Sequence, residues 1–380
     1  MNKLTLAVAI VVSLFAMPAP VAARSLTAQK AQKIARKLIG EWTDSVRKAT
    51  AEAYQSKKMT IDGHTMPLAW SVDSTKGAHK MPLYISLHGG GGAPAELNDQ
   101  QWRNQQVIYK TDGVYLCPRA PFNTWDLHFH PESDTFYRRI IAMMVAWLDV
   151  DPNRVYLMGY SAGGDGVWRL APRMADTWAA ASMMAGHPGD VRLENLYNLP
   201  FMIWCGGNDA AYDRNNQCRQ RIAQMDSLHR VHPDGYRFEG HIIEGKGHWM
   251  DRVDTAAVSW MAQYERNPFP SVIVWRQSDV QKPYFYWISV PTDELARDKE
   301  LRLHASGNTI DIDHSDYSQI TLWLSDQLFN LDSPIIVRHR GRTLFQGRVR
   351  RSAATLRHTL FQRNDPSYMC PAQLTLQLAK

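Results

Sequence analysis

The stretch Gly159-Tyr160-Ser161-Ala162-Gly163 decides the fold of this chain. It follows a short apolar run, 155–158, and precedes a segment, 161–174, that is able to form a helix. A serine between two glycines at a strand–turn–helix junction is the pattern of a nucleophile elbow, in which a sharp turn lifts the serine hydroxyl out of the sheet. Glycine and serine are also common in ordinary turns, so the motif needs support from the rest of the chain.

The composition is that of a globular protein with one large domain and a smaller one. The chain has 380 residues, of which 44% are hydrophobic and 21% are charged. The formal net charge of +6 is small for this length, and the basic residues are mostly interleaved with acidic ones. This pattern does not favour nucleic acid as a partner. No later stretch is long and apolar enough to span a bilayer.

The first 23 residues read as a secretory signal peptide. Lys3 supplies a positive charge, 4–17 is apolar, and the small residues that follow end at Ala23, the expected cleavage site. The mature protein is therefore expected to be secreted or periplasmic. Disulfides are compatible with those compartments, and Cys205 and Cys218 are the pair whose closeness in sequence makes them candidates.

The order of apolar runs predicts two architectures. In 24–268, a long N-terminal helix over 25–57 is followed by strands that alternate with helices, which predicts an α/β fold with a mostly parallel sheet covered on both faces. The predicted strands cover 66–72, 81–87, 114–117, 155–158, 178–184, 200–205 and 236–243. After Pro268-Phe269-Pro270, short alternating runs separated by turn residues predict a small all-β, sandwich-like domain over 269–380.

Later in the chain, two residues have the chemistry to activate Ser161. His248 follows a predicted strand on a glycine-flanked loop, and Asp209 follows the preceding strand directly after two glycines. A serine hydroxyl needs a general base, and the base works best when a carboxylate fixes its tautomer. Asp213 is an alternative acid. His241 is an alternative base, although it lies inside a predicted strand.

A glycine run supplies candidates for the oxyanion hole. The loop 88–92, His-Gly-Gly-Gly-Gly, follows a buried strand, and its glycines let the backbone approach a reacting group closely. We expect one oxyanion donor to be the amide of Ala162 and another to be the amide of Gly90 or Gly91. One such donor is typically worth about 3 kcal/mol in the transition state.

Three further residues are candidates for substrate binding. Trp125 lies on the long loop after the 114–117 strand, His187 follows another strand, and Trp249 adjoins the proposed base. The spacing of His128 and His130 would suit two metal ligands, but the sequence offers no clear third ligand, so no metal site is expected.

Together the segments 88–92, 159–164, 206–209 and 247–248 resemble the α/β-hydrolase superfamily over about residues 60–266. The nearest resemblance is to exported esterases related to dienelactone hydrolases and to the catalytic domain of prolyl oligopeptidases. It implies Ser161 as nucleophile, His248 as base and Asp209 as its orienting acid, with no metal and no cofactor. The β-rich C-terminal part departs from the simple esterase pattern.

Three functions are compatible with these residues. The first is a serine hydrolase of carboxylic esters, acting on a small-molecule or polysaccharide-linked ester, for example an acylated carbohydrate or an aromatic-acid ester. The second is a serine peptidase of the prolyl-oligopeptidase type, although the chain lacks room for an N-terminal propeller. The third is a non-catalytic glycan-binding protein on a hydrolase fold. The oligomeric state stays open.

Overall fold

The computed structural model describes residues 25–73 and 80–378. The predicted signal peptide lies outside the described residues, so cleavage after Ala23 stays a prediction. Within the described ranges, no helix combines the length and the hydropathy needed to cross a bilayer.

An eight-stranded sheet forms the centre of the first part of the chain. Its strands are β1 (Lys58–Ile61), β2 (His64–Asp73), β3 (Met81–Leu87), β4 (Gly113–Pro118), β5 (Val150–Tyr160), β6 (Ala180–Met184), β7 (Phe201–Gly206) and β8 (Phe238–Ile243). They lie in the order β1-β2-β4-β3-β5-β6-β7-β8. The neighbours β1–β2 and β2–β4 are antiparallel. The remaining neighbours, β4–β3, β3–β5, β5–β6, β6–β7 and β7–β8, are parallel. The predicted mostly parallel sheet is confirmed.

Both faces of this sheet are buried. Along β3, Leu83, Ile85 and Leu87 belong to one apolar core, whereas Tyr84 belongs to another. Successive side chains of a strand point to opposite faces, so the two cores lie on opposite sides of the sheet. Burial on both faces explains why this strand is a continuous apolar run in the sequence.

In the described part of the chain, six α-helices accompany the sheet. They are α1 (Ala28–Ser56), α2 (Ala95–Ile108), α3 (Ser133–Leu148), α4 (Ala162–Arg173), α5 (Arg214–Val231) and α6 (Ala256–Met261). Residues of α3 and α4 pack in the core of Leu83, while α6 and part of α2 pack around Tyr84. The predicted N-terminal helix is α1, which begins after Thr27, whose hydroxyl accepts a hydrogen bond from the Lys30 amide. Its apolar stripe packs on α3.

The C-terminal part consists of two sheets and one helix. Its strands are β9 (Val272–Arg276), β10 (Tyr284–Phe285), β11 (Ile288–Ser289), β12 (Glu300–Ser306), β13 (Thr309–Ser315), β14 (Gln319–Leu324), β15 (Ile335–His339), β16 (Arg342–Gly347) and β17 (Ala372–Gln377). One sheet has the order β10-β11-β14-β17 and the other β16-β15-β13-β12-β9. The predicted C-terminal β architecture is confirmed. The domain boundary at 268/269 stays a prediction.

One helix interrupts this β-rich part, which makes "all-β" too simple a description. Helix α7 (Ala353–Arg363) begins after Ser352, whose hydroxyl accepts a hydrogen bond from the Ala354 amide. Only Leu356 and Leu360 are buried apolar residues on it. Two such positions are too few to give a helical period in the sequence.

Strand β1 is a second element that the sequence reading missed. It forms a hairpin with β2 across Asp62-Gly63, where both residues have positive φ, 49° and 81°. Asp-Gly is the strongest sequence signal for such a two-residue turn, so the signal for this hairpin was present in the chain.

The suggested disulfide between Cys205 and Cys218 is not formed. All four cysteines are free and buried. The Cys205 thiol donates to the Gly206 carbonyl over 3.6 Å, and the Cys218 thiol donates to the Gly186 carbonyl over 3.7 Å.

A buried ion pair joins α7 to the segment between α4 and β6. The Arg363 guanidinium donates to the Asp176 carboxylate, and both side chains are buried. Burial is the largest single effect and raises the pKa of Asp176, but the charges of Arg363, Arg138 and Arg266, together with the hydrogen bond from Arg363, outweigh it, so the net pKa is lowered. The Tyr368 hydroxyl also donates to the Asp176 carbonyl, over 2.7 Å. The carboxylate therefore depends on cationic partners, of which Arg363 of α7 is the one that donates a hydrogen bond to it.

We predict that Arg363→Met lowers the free energy of unfolding by about 3 kcal/mol, because it leaves the Asp176 carboxylate buried without its main partner. Urea denaturation of the full chain measures the change. Arg357→Met is the matched control on the same helix, since Arg357 is exposed and pairs with Glu41 at the surface. Its effect should stay below about 0.5 kcal/mol. Equal effects of the two substitutions would contradict this account of the ion pair.

Candidate active site

Ser161 lies in the turn between β5 and α4. Its backbone has φ 58° and ψ −122°, a conformation that residues with a Cβ rarely adopt and that costs about 1–3 kcal/mol. The Ser161 amide donates to the carbonyl of Met184 over 2.9 Å, at the end of the neighbouring strand β6. This hydrogen bond holds the strained turn against the sheet.

The two glycines of the motif are required by close backbone contacts. A Cβ on Gly159 would lie 2.4 Å from the Gly163 carbonyl oxygen, and a Cβ on Gly163 would lie 2.2 Å from the Leu87 carbonyl oxygen. Both distances are far below van der Waals contact. The turn therefore closes only because neither position carries a side chain.

Ser161, His248 and Asp209 form a continuous hydrogen-bonded relay. His248 Nε2 lies 2.9 Å from Ser161 Oγ, and His248 Nδ1 lies 2.8 Å from Asp209 Oδ2. The Asp209 side chain is 2% exposed, whereas that of His248 is 44% exposed. With a proton on Nδ1 directed at the carboxylate, Nε2 is free to accept the serine proton.

The alternative acid and base lie outside this relay. The Asp213 carboxylate accepts hydrogen bonds from Asn216 and Gln217 at the start of α5. The His241 ring stacks on Trp204 with 4.0 Å between the ring centroids. The geometry therefore favours Asp209 and His248 over these two.

Of the three expected oxyanion donors, two remain candidates. Ala162 is the first residue of α4, so its amide lacks an intrahelical acceptor. The Gly91 amide, however, donates to Asn98 Oδ1 over 3.1 Å, which corrects the expectation that it is free for a reacting oxygen. Among the described residues, the Gly90 amide donates to no protein group, so Gly90 is the stronger choice for the second donor.

Two buried histidines hold the glycine loop in place. His88 Nε2 accepts a hydrogen bond from the Ala120 amide, so its proton is on Nδ1, which donates to the Gly89 carbonyl over 2.6 Å. Burial lowers the pKa of His88 to about 4, so the ring is neutral. His128 is also buried, with Nε2 2.8 Å from the His88 carbonyl oxygen. The sequence carries no signal for this role, because it depends on contacts between separate loops.

Tyr160 joins the serine turn to the histidine loop. Its hydroxyl donates to the His248 carbonyl over 2.7 Å and accepts from the Met250 amide over 3.2 Å. The side chain immediately before the nucleophile thus sets the position of the base. Tyr160 could not be predicted as a site residue from sequence, because it occupies the variable position of the motif and its partner lies on the His248 loop.

Arg214 is the other site residue that the sequence did not reveal. Its Nη1 donates to Asp209 Oδ1 over 2.6 Å and lies 3.1 Å from His248 Nδ1. Arg214 is the first residue of α5, five positions after Asp209. No motif marks an arginine there, since the contact arises from the way the loop turns into the helix.

Ser161 lies between two open lobes of one cleft. The α2 lobe has a volume of about 590 Å³ and is lined by Leu97, Val107, Ile108, Tyr160 and Trp249, with several amide side chains of α2. The α4 lobe has a volume of about 830 Å³ and is lined by Trp125, Asp165, Arg169, His187 and Tyr212. The three predicted binding residues therefore all line the cleft: Trp249 in the α2 lobe, and Trp125 and His187 in the α4 lobe.

The α4 lobe combines exposed aromatic rings with titratable groups. Tyr212 is 80% exposed, Trp125 is 66% exposed, and Trp249 across the cleft is 48% exposed. Asp165 Oδ1 accepts the His187 amide proton over 2.6 Å, and burial raises the pKa of Asp165 to about 6. Burial, and after it the charge of Arg214, lowers the pKa of His187.

The chain is similar in sequence to a curated protein that is named as an esterase. No family model matches the chain. A protein of Nocardia uniformis subsp. tsuyamanensis named "Putative esterase NocK" is 26% identical over 190 residues, which are 46% of this chain and 52% of that protein. The chain thus spans about half the length of this curated relative.

Two of the solved structures that the chain resembles are named as esterases. A thermostable esterase has 20% identity and a TM-score of 0.42, over 55% of this chain and 62% of its own. The carboxylesterase of Bacillus cereus has 16% identity and a TM-score of 0.39, over 52% of this chain and 94% of its own.

We predict that Gly90→Ala lowers kcat for an ester by at least about 100-fold, the cost of one misplaced oxyanion donor. Gly90 has φ +117°, and a Cβ there would lie 2.0 Å from Asn98 Oδ1, so the loop must shift. Stopped-flow or steady-state hydrolysis measures the effect.

Gly40→Ala is the matched control, because a Cβ on Gly40 in α1 meets nothing within 4 Å. That variant should keep wild-type kcat. Wild-type kcat in Gly90→Ala would show that the loop does not supply a donor.

Proposed function

We propose that this chain is a serine hydrolase of the α/β-hydrolase superfamily, which hydrolyses carboxylic esters through an acyl-enzyme on Ser161. The observation that carries the proposal is the relay from Asp209 through His248 to a serine in a strained turn. The name of the curated relative, an esterase, supports the same activity.

The chemistry follows from the positions of these groups. His248 Nε2 takes the Ser161 proton as Oγ forms a bond to the ester carbonyl carbon, and the carbonyl oxygen becomes an oxyanion facing the amides of Ala162 and Gly90. When the tetrahedral intermediate collapses, the bond to the alcohol breaks and the alcohol oxygen takes the proton from Nε2. Water then attacks the acyl-enzyme by the same steps, and the carboxylic acid leaves.

The cleft supports an ester with a ring on at least one side of the scissile bond. Trp125 and Tyr212 expose their rings in the α4 lobe, and Trp249 does so in the α2 lobe. Exposed aromatic rings bind flat apolar faces, which both sugars and aromatic acids offer. We therefore propose an acylated carbohydrate or an aromatic-acid ester as the substrate class, either as a small molecule or linked to a polysaccharide.

Export is a further part of the proposal. The positive, apolar and small-residue segments of 1–23 support secretion or a periplasmic location. A polymer-linked ester outside the cytoplasm would then be accessible to the enzyme.

The test compares wild type with Ser161→Ala on short-chain p-nitrophenyl esters, methyl ferulate, an acetylated sugar and a prolyl peptide amide. We predict ester turnover that falls at least about 10⁴-fold in the variant, because the remaining groups cannot form an acyl-enzyme. Circular dichroism checks that the variant is folded. Turnover of the amide alone would identify a peptidase, and ester turnover that survives in Ser161→Ala would overturn the assignment.

A further inference from the structure

Arg214 donates a hydrogen bond to the carboxylate oxygen of Asp209 that does not contact His248. Arg214 Nη1 donates to Asp209 Oδ1 over 2.6 Å, and His248 Nδ1 lies 2.8 Å from Oδ2. The side chains of Arg214 and Asp209 are 8% and 2% exposed. Because each oxygen of the Asp209 carboxylate has its own hydrogen-bond donor, the carboxylate does not rotate freely, and Oδ2 stays directed at the imidazole of His248.

The loop that carries Asp209 is fixed from the same direction. The Asp209 carbonyl accepts the Asn215 amide proton over 3.0 Å, and the Asp209 amide donates to Gly206 over 3.1 Å. Arg214 lies directly before Asn215, so the start of α5 holds both the backbone and the side chain of the acid. The Arg214 guanidinium also lies over the Tyr212 ring, at 5.6 Å from its centroid.

The same guanidinium lies 3.1 Å from His248 Nδ1. If Nδ1–H donates a hydrogen bond to Asp209, Nε2 can accept the proton of Ser161. If Nδ1 instead accepted from Arg214, the proton would be on Nε2 and the ring could not act as a base. The carboxylate favours the first arrangement, because a neutral Nδ1–H can donate to it.

We propose that Arg214 is a positioning residue of the relay, which holds Asp209 Oδ1 so that Oδ2 stays directed at His248 Nδ1. This inference rests on the proposed function. With Nδ1–H donating to Oδ2, the lone pair of Nε2 stays available for the Ser161 proton. Loss of the guanidinium should let the carboxylate turn, which lowers kcat without a matching change in KM.

The test is the separate measurement of kcat and KM for p-nitrophenyl acetate in full-length variants. For both Arg214→Gln and Arg214→Lys we predict that kcat falls about tenfold at unchanged KM, because neither side chain offers the planar guanidinium that reaches Asp209 Oδ1.

Arg219→Gln is the matched control on the same helix, because Arg219 is exposed and pairs only with Glu244 at the surface. Its kcat and KM should equal those of wild type. If Arg214→Gln has the same kcat as Arg219→Gln, the inference is wrong. If Arg214→Gln does not fold, Arg214→Lys decides the question, since wild-type kcat in that variant would overturn the inference. Ester turnover that persists in Ser161→Ala would instead overturn the proposed function, so the two failures are distinguishable.

Discussion

Ser161 stays in a strained backbone conformation because three pieces of chain close around it. The Ser161 amide donates to the Met184 carbonyl. Gly159 lies against the Gly163 carbonyl, and Gly163 lies against the Leu87 carbonyl, at distances too short for a side chain on either glycine. The cost of about 1–3 kcal/mol in backbone strain is offset by the packing of β3, β5 and β6 around this turn. The hydroxyl therefore lies at the carboxyl edge of the sheet, where the loops that follow β7 and β8 begin.

A second set of hydrogen bonds fixes the partners of that hydroxyl. His88 holds the glycine loop, Tyr160 holds the loop of His248, and Arg214 holds Asp209. Each of these residues belongs to a different element and holds a loop or a side chain that in turn positions the reacting atoms. The reacting atoms can therefore lie within hydrogen-bond distance of one another although they are carried by separate loops, which is the preorganisation that acyl transfer needs.

The elements that could be predicted from sequence are those with a local signal. The serine motif, the glycine run, and an aspartate and a histidine directly after apolar runs were sufficient to indicate the sheet and the three residues of the relay. Arg214, Tyr160 and the bond from the Gly91 amide to Asn98 could not be read in this way, because each depends on a contact between separate elements. Helix α7 was missed for a related reason: its stability comes from packing and from the Arg363–Asp176 ion pair rather than from its own apolar pattern.

The central claim is that His248 activates Ser161 as a covalent nucleophile, and labelling with a serine-reactive phosphonate tests it most directly. Peptide mass spectrometry of the labelled wild-type protein should show one phosphonyl adduct, on the peptide that contains Ser161, and His248→Ala should abolish it. An adduct on a different residue, or equal labelling rates in wild type and His248→Ala, would contradict the account.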